Sequence, residues 1–112
     1  MNIIVEMLKI KDFATLCGCS IYTLRYYDKI GLLKPNMVNE QSGYRYYTKE
    51  QYHQYVQIKE FQEVGFTVQE IKEMSKLDQF GRVKAIKIKI EELRTQLEKS
   101  IALVEKYSRG GK

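Results

Sequence analysis

Between Val83 and Tyr107 apolar side chains return at alternating intervals of three and four residues. Val83, Ile90, Leu97 and Val104 fall at one heptad position and Ile86, Leu93 and Tyr107 at the other, with Ser100 the only polar residue in the seam. Such a repeat draws a narrow apolar stripe along a long helix, and the stripe needs a facing helix of similar length to cover it. The rest of the chain holds no such partner. The stripe is therefore expected to bury itself against a second copy, through Val83, Ile86, Ile90, Leu93, Leu97 and Val104. In a parallel pair Lys89 would face Arg94 of the other helix, so like-charge repulsion favours an antiparallel arrangement.

The preceding residues are cut into short pieces. Ile10, Phe13, Ala14 and Cys17 form the stripe of a short amphipathic helix stopped by Gly18. Ser20 is a good N-cap for a second helix from Ile21 to about Ile30, with Gly31 as its stop. After Pro35, the run Asn39-Glu40-Gln41-Ser42-Gly43 lies between Met37-Val38 and Tyr44-Arg45-Tyr46-Tyr47, the pattern of a small β-hairpin. Two capping-box patterns follow. Thr48-x-x-Gln51 is expected to open a third helix reaching Val64, and Thr67-x-x-Glu70 a fourth reaching about Leu77. In the third, Tyr52, Tyr55 and Val56 share one stripe and Phe61 lies nearly opposite, which predicts packing on two sides.

These elements predict a mainly α fold. Residues 1–78 form a winged helix-turn-helix of four short helices and a hairpin wing, and residues 79–112 form a linker and a long antiparallel coiled-coil dimerisation helix. The second helix carries Tyr22, Arg25, Tyr26 and Lys29 on one side, opposite Leu24. Arginine can bond guanine edges in pairs of hydrogen bonds, while tyrosine hydroxyls and lysine ammonium groups suit phosphate oxygens. The competing reading turns the tyrosines into the core. In the hairpin, Arg45 stands between Tyr44 and Tyr46 at the base of a polar tip, the make-up of a wing, and Tyr47 is expected to pack inwards. Net charge is +5, or +2 over residues 1–50, −1 over 51–82 and +4 over 83–112. That balance permits a polyanionic partner without locating it.

Ser20-x-x-Thr23-Leu24-Arg25-Tyr26-Tyr27, then Gly31-Leu32-Leu33-x-Pro35, then Gly43-Tyr44-Arg45-x-Tyr47 resembles the N-terminal signature of the MerR family. Gly65-Phe66 and the long terminal helix extend the resemblance over roughly residues 8–107. The resemblance implies an antiparallel coiled-coil dimer on a pseudo-palindromic operator within an overlong promoter spacer. It also implies control of transcription by bending and untwisting that spacer for RNA polymerase. Carried over by the motif, Ser20, Thr23, Arg25 and Tyr26 serve the groove helix, Tyr44 and Arg45 the wing, and Lys59 a flanking phosphate. Tyr22 and Lys29 join them on the face argument alone. Many members continue into an effector-binding domain, so a small-molecule effector would act through a domain outside these 112 residues.

Other chemistries find little footing. Family members that sense metals carry cysteines around the dimerisation helix, and none occur there in this chain. Cys17 and Cys19 stand where the motif has small apolar residues, and they read as buried thiols acting as small hydrophobes. No metal or other cofactor is expected. His53 reads as a solvated helix residue and Lys84, Lys87 and Lys89 as the wet side of a helix. No paired carboxylate or phosphate loop suggests an enzyme. No apolar run approaches the roughly 18–20 residues of a membrane span, and Met1–Met7 lacks the features of a secretory signal, so a cytoplasmic protein is expected. The extension before Met7 has no assigned role. A second functional class stays open: a coiled-coil interaction module whose helix-turn-helix is a scaffold that binds no DNA.

Overall fold

The computed structural model describes residues 6–110. Its elements follow in the order β1 (Met7–Lys9), α1 (Ile10–Cys17), α2 (Ile21–Lys29), β2 (Met37–Val38), β3 (Arg45–Thr48), α3 (Glu50–Glu63), α4 (Val68–Met74) and α5 (Gln79–Arg109). The chain parts into two compact units between Lys72 and Glu73.

In the first unit, local signals set most boundaries. Gly18 takes φ +72° at the end of α1, and the Cys19 N–H donates back to the Ala14 carbonyl at 3.1 Å. The Ser20 hydroxyl accepts from the Thr23 N–H at 3.0 Å and starts α2. Gly31, at φ +77°, ends it in a left-handed turn: its N–H donates to the Asp28 carbonyl and the Leu32 N–H to the Tyr27 carbonyl, at 3.0 and 2.8 Å. Thr67 and Glu70 exchange bonds, Thr67 N–H to the Glu70 carboxylate at 2.9 Å and Glu70 N–H to the Thr67 hydroxyl at 3.1 Å, a complete capping box.

Thr48 behaves differently from its pattern. It is the last residue of β3 and is buried, and the N-cap of α3 is Lys49, with helical dihedrals and no side-chain capping bond, its ammonium instead pairing with Glu6 at 2.9 Å. Only half of the box survives: Gln51 Oε1 accepts from the Thr48 N–H at 3.0 Å. The same amide donates to the Lys34 carbonyl at 2.6 Å, so buried Gln51 ties the segment after α2 to the end of the wing.

The sheet has three antiparallel strands in the order β1-β3-β2, one more than the expected hairpin. Met7, Leu8 and Lys9 face Thr48, Tyr47 and Tyr46, while Met37 and Val38 face Tyr46 and Arg45. One sheet face meets the helices. Tyr47 is sealed from solvent and stacks flat on Phe13, ring centres 4.5 Å apart and planes 3° apart. Phe13, Leu24, Leu33 and Tyr47 are the fully buried centre of the core, each contributing about 1.5–3 kcal/mol of transfer free energy. From α3, Tyr55 and Ile58 join them, and Phe61 sits edge-on to Phe66 at 5.5 Å.

In the second unit, α5 is 31 residues long and starts earlier than its heptads. Asp78 Oδ1 accepts from the Gly81 N–H at 2.8 Å and caps it. No residue of α5 is buried.

Candidate nucleic-acid interface

Leu24 and Tyr27 fix the rotation of α2, because both are buried and they lie on one side of the helix. The Tyr27 hydroxyl reaches Gln62 Oε1 on α3 at 3.5 Å. The opposite side therefore faces solvent. Tyr22 is 80% exposed, and Arg25, Tyr26 and Lys29 are exposed beside it. The reading in which these tyrosines form core is removed by that rotation. Ser20 and Thr23 lie at the start of this face with their hydroxyls 3.0 Å apart, and the same Ser20 oxygen caps the helix. Both hydroxyls hold the first turn of α2 in place.

The wing is braced against this helix. Arg45 Nε donates to Asp28 Oδ2 at 3.0 Å, a link from β3 to α2 across seventeen residues of sequence. The pair ties the wing to α2 beside the Tyr22–Lys29 face. Among the described residues only Nε of Arg45 has a partner, which leaves its two terminal nitrogens for another acceptor. At the tip, Asn39 Oδ1 accepts from the Gln41 and Ser42 N–H groups at 2.9 and 3.1 Å, and the Gly43 N–H returns to the Asn39 carbonyl at 2.7 Å. Gly43 takes φ +75°, which a side chain would strain. Tyr44 is exposed just beyond. Lys59 is exposed on α3, without an ion pair among the described residues.

Behind the face lies chemistry that stays neutral. Burial, with the neighbouring Cys19, pushes the Cys17 thiol up to about 12, and burial also pushes the Tyr47 and Tyr55 hydroxyls up to about 12. Cys17 and Cys19 are in no disulfide and are half-buried, so they line the turn rather than sit inside the core as expected. Among the described residues, no three His, Cys, Asp or Glu side chains are grouped to hold a metal, and no helix is long and apolar enough to cross a membrane.

On α5, Val83, Ile90, Leu93, Leu97 and Val104 are exposed in the single chain and Ile86 is half-exposed. Ile101 is exposed as well. The neighbouring seam residue Ser100 turns its hydroxyl back to the Gln96 carbonyl at 2.9 Å. Leu97, Ile101 and Val104 are thus spaced by four and then three residues around Ser100, and all three are exposed.

The family model for MerR HTH family regulatory proteins matches residues 8–77. The chain belongs to the MerR family. It is 34% identical over 101 residues to the HTH-type transcriptional activator mta of Bacillus subtilis, covering 90% of this chain and 39% of that relative. The match therefore spans about two fifths of the relative's length. Among solved structures, MtaN, the N-terminus of a Bacillus subtilis multidrug transporter activator, superposes with a TM-score of 0.81 at 33% identity, covering 91% of this chain and 95% of that one. HiNmlR, described as a MerR family regulator lacking the sensor domain and bound to promoter DNA, superposes with a TM-score of 0.63 at 25% identity over 89% and 86% of the two chains. The MerR-type winged helix-turn-helix followed by a long helix is thus the fold of this chain.

Proposed function

We propose that residues 6–110 are the DNA-binding and dimer-forming part of a transcription regulator acting in the cytoplasm. The observation that carries this reading is the outward face of α2, where Tyr22, Arg25, Tyr26 and Lys29 are exposed together on a helix anchored by Leu24 and Tyr27. That helix enters the major groove, Arg25 reads a base edge, and Ser20, Thr23, Tyr22, Tyr26 and Lys29 line the approach. Tyr44, Arg45 and Lys59 hold flanking phosphates, which set register without reading sequence. Two copies pair antiparallel through Val83, Ile86, Ile90, Leu93, Leu97 and Val104, and their groove helices meet half-sites of a pseudo-palindromic operator. The dimer acts on transcription by distorting the promoter spacer presented to RNA polymerase. The relative mta is named an activator, and activation is the sign we assign here. A small-molecule effector would work through a further domain.

The test is binding of the chain to a duplex selected from a random library, compared with its Arg25→Ala variant. The variant should lose about 1–3 kcal/mol on the selected site and blur preference at one position per half-site. Equal affinity and equal preference in the two proteins would remove α2 from the groove. Retention of a protein partner with no DNA bound would favour the interaction-module reading instead.

A further inference from the structure

β1 carries a lysine that its place in the fold does not favour. Lys9 is the N-cap residue of α1 and makes no side-chain bond to the free N–H groups of the first turn. Its ammonium also belongs to the end of the helix where cations are disfavoured. Helix stability thus gives no reason for a lysine at this position.

Sheet geometry supplies one. Lys9 pairs with Tyr46, and strand alternation puts both on the face opposite Tyr47. Tyr44 continues the ladder, its carbonyl accepting from the Asn39 N–H at 2.9 Å, so its side chain lies on the Lys9 face as the diagonal neighbour. The Lys9 ammonium stands 4.8 Å from the centre of the Tyr44 ring. Both side chains are exposed, and among the described residues no carboxylate pairs with Lys9.

The geometry points to Lys9 as a DNA phosphate contact that works together with Tyr44, extending the binding surface of the wing onto the strand before α1. This rests on the DNA-binding reading above. A cation over the ring and a hydroxyl at its edge offer one phosphate oxygen a charge and a hydrogen bond. The contact adds affinity and register but no sequence preference.

The test compares the parent chain with Lys9→Gln and Lys9→Arg on the selected duplex and on a scrambled one, by fluorescence anisotropy over a range of KCl. Each lost phosphate contact lowers the slope of log K against log salt by about 0.9, so a dimer with both wings seated loses about 1.8, or about sixtyfold in affinity near 0.1 M salt. Lys9→Gln should show that loss equally on both duplexes, and Lys9→Arg should restore the parent slope. A Lys9→Gln protein with the parent slope, or one weakened on the selected duplex alone, would overturn the proposal. A parent chain that binds neither duplex would instead remove the DNA reading itself, whatever the variants do.

Discussion

In the winged-helix unit Phe13, Leu24, Leu33 and Tyr47 are sealed from solvent by their own chain, whereas α5 runs for 31 residues without one buried side chain. Both regions are rich in apolar residues, so composition does not separate them. The difference is where the covering surface comes from. Three helices and a sheet enclose the first set, while the Val83–Val104 stripe has no covering element among the described residues of its unit. The stability of the first is therefore intramolecular, and a helix of the second kind gains its stability from whatever binds it, with a concentration dependence that a self-contained core lacks.

The strongest way to break this contrast is to hollow the core. Phe13→Ala should destabilise the winged-helix unit by about 3–5 kcal/mol, through lost transfer energy and the cavity left against Tyr47. Denaturant unfolding measures it, and a loss no larger than that of an exposed α5 residue would deny that the first unit is self-contained. Next in size, Leu93→Glu combined with Leu97→Glu should turn dimers into monomers in sedimentation velocity, because charges at the seam cannot be covered by a second helix. The winged helix should keep its unfolding midpoint in that variant when both proteins are measured as monomers. Dimers that persist would move the seam elsewhere on α5, with Ile101 and Leu103 the first residues to examine.

The smallest effect sharpens the contrast from inside the core. The Tyr47 hydroxyl is buried without a hydrogen-bond partner among the described residues. Tyr47→Phe removes an unsatisfied polar atom and keeps the stack on Phe13, so it should be neutral or stabilising by up to about 1 kcal/mol. Its pH dependence adds a second readout. Burial raises the Tyr47 hydroxyl from 10.0 to about 12, so the folded chain keeps a proton that the unfolded chain releases. Stability from this group is complete below pH 10 and is lost as pH rises towards 12, and Tyr47→Phe should flatten that alkaline decline in thermal melts.

Local chemistry was legible in the sequence and long-range pairing was not. Ser20, Gly18, Gly31 and the Thr67–Glu70 box act within a few residues of themselves, so their patterns located the ends of α1 and α2 and the start of α4. Thr48-x-x-Gln51 has the same pattern, yet Thr48 ends β3, because pairing with Met7 competes for it. β1 itself is three residues long, too short for a period-two signal, and exists through its register with β3. The exposed face of α2 was readable from spacing opposite Leu24. The Asp28–Arg45 brace and the Lys9–Tyr44 contact were not, since each joins residues that meet only after the wing folds back. Asp78 as the cap of α5 lies outside the apolar repeat, which begins later, at Val83.

On the proposed function, the Tyr22–Lys29 side of α2 meets base edges in a major groove. Methylation interference at guanine N7 on the selected duplex tests it most directly, since that atom lies in the major groove and is one that arginine bonds. Interference is expected at guanines in two half-sites about one helical turn, or a multiple of it, apart, with the signal at one guanine per half-site lost in Arg25→Ala. Full binding to N7-methylated duplexes, or an interference pattern identical in the parent and Arg25→Ala proteins, would contradict it.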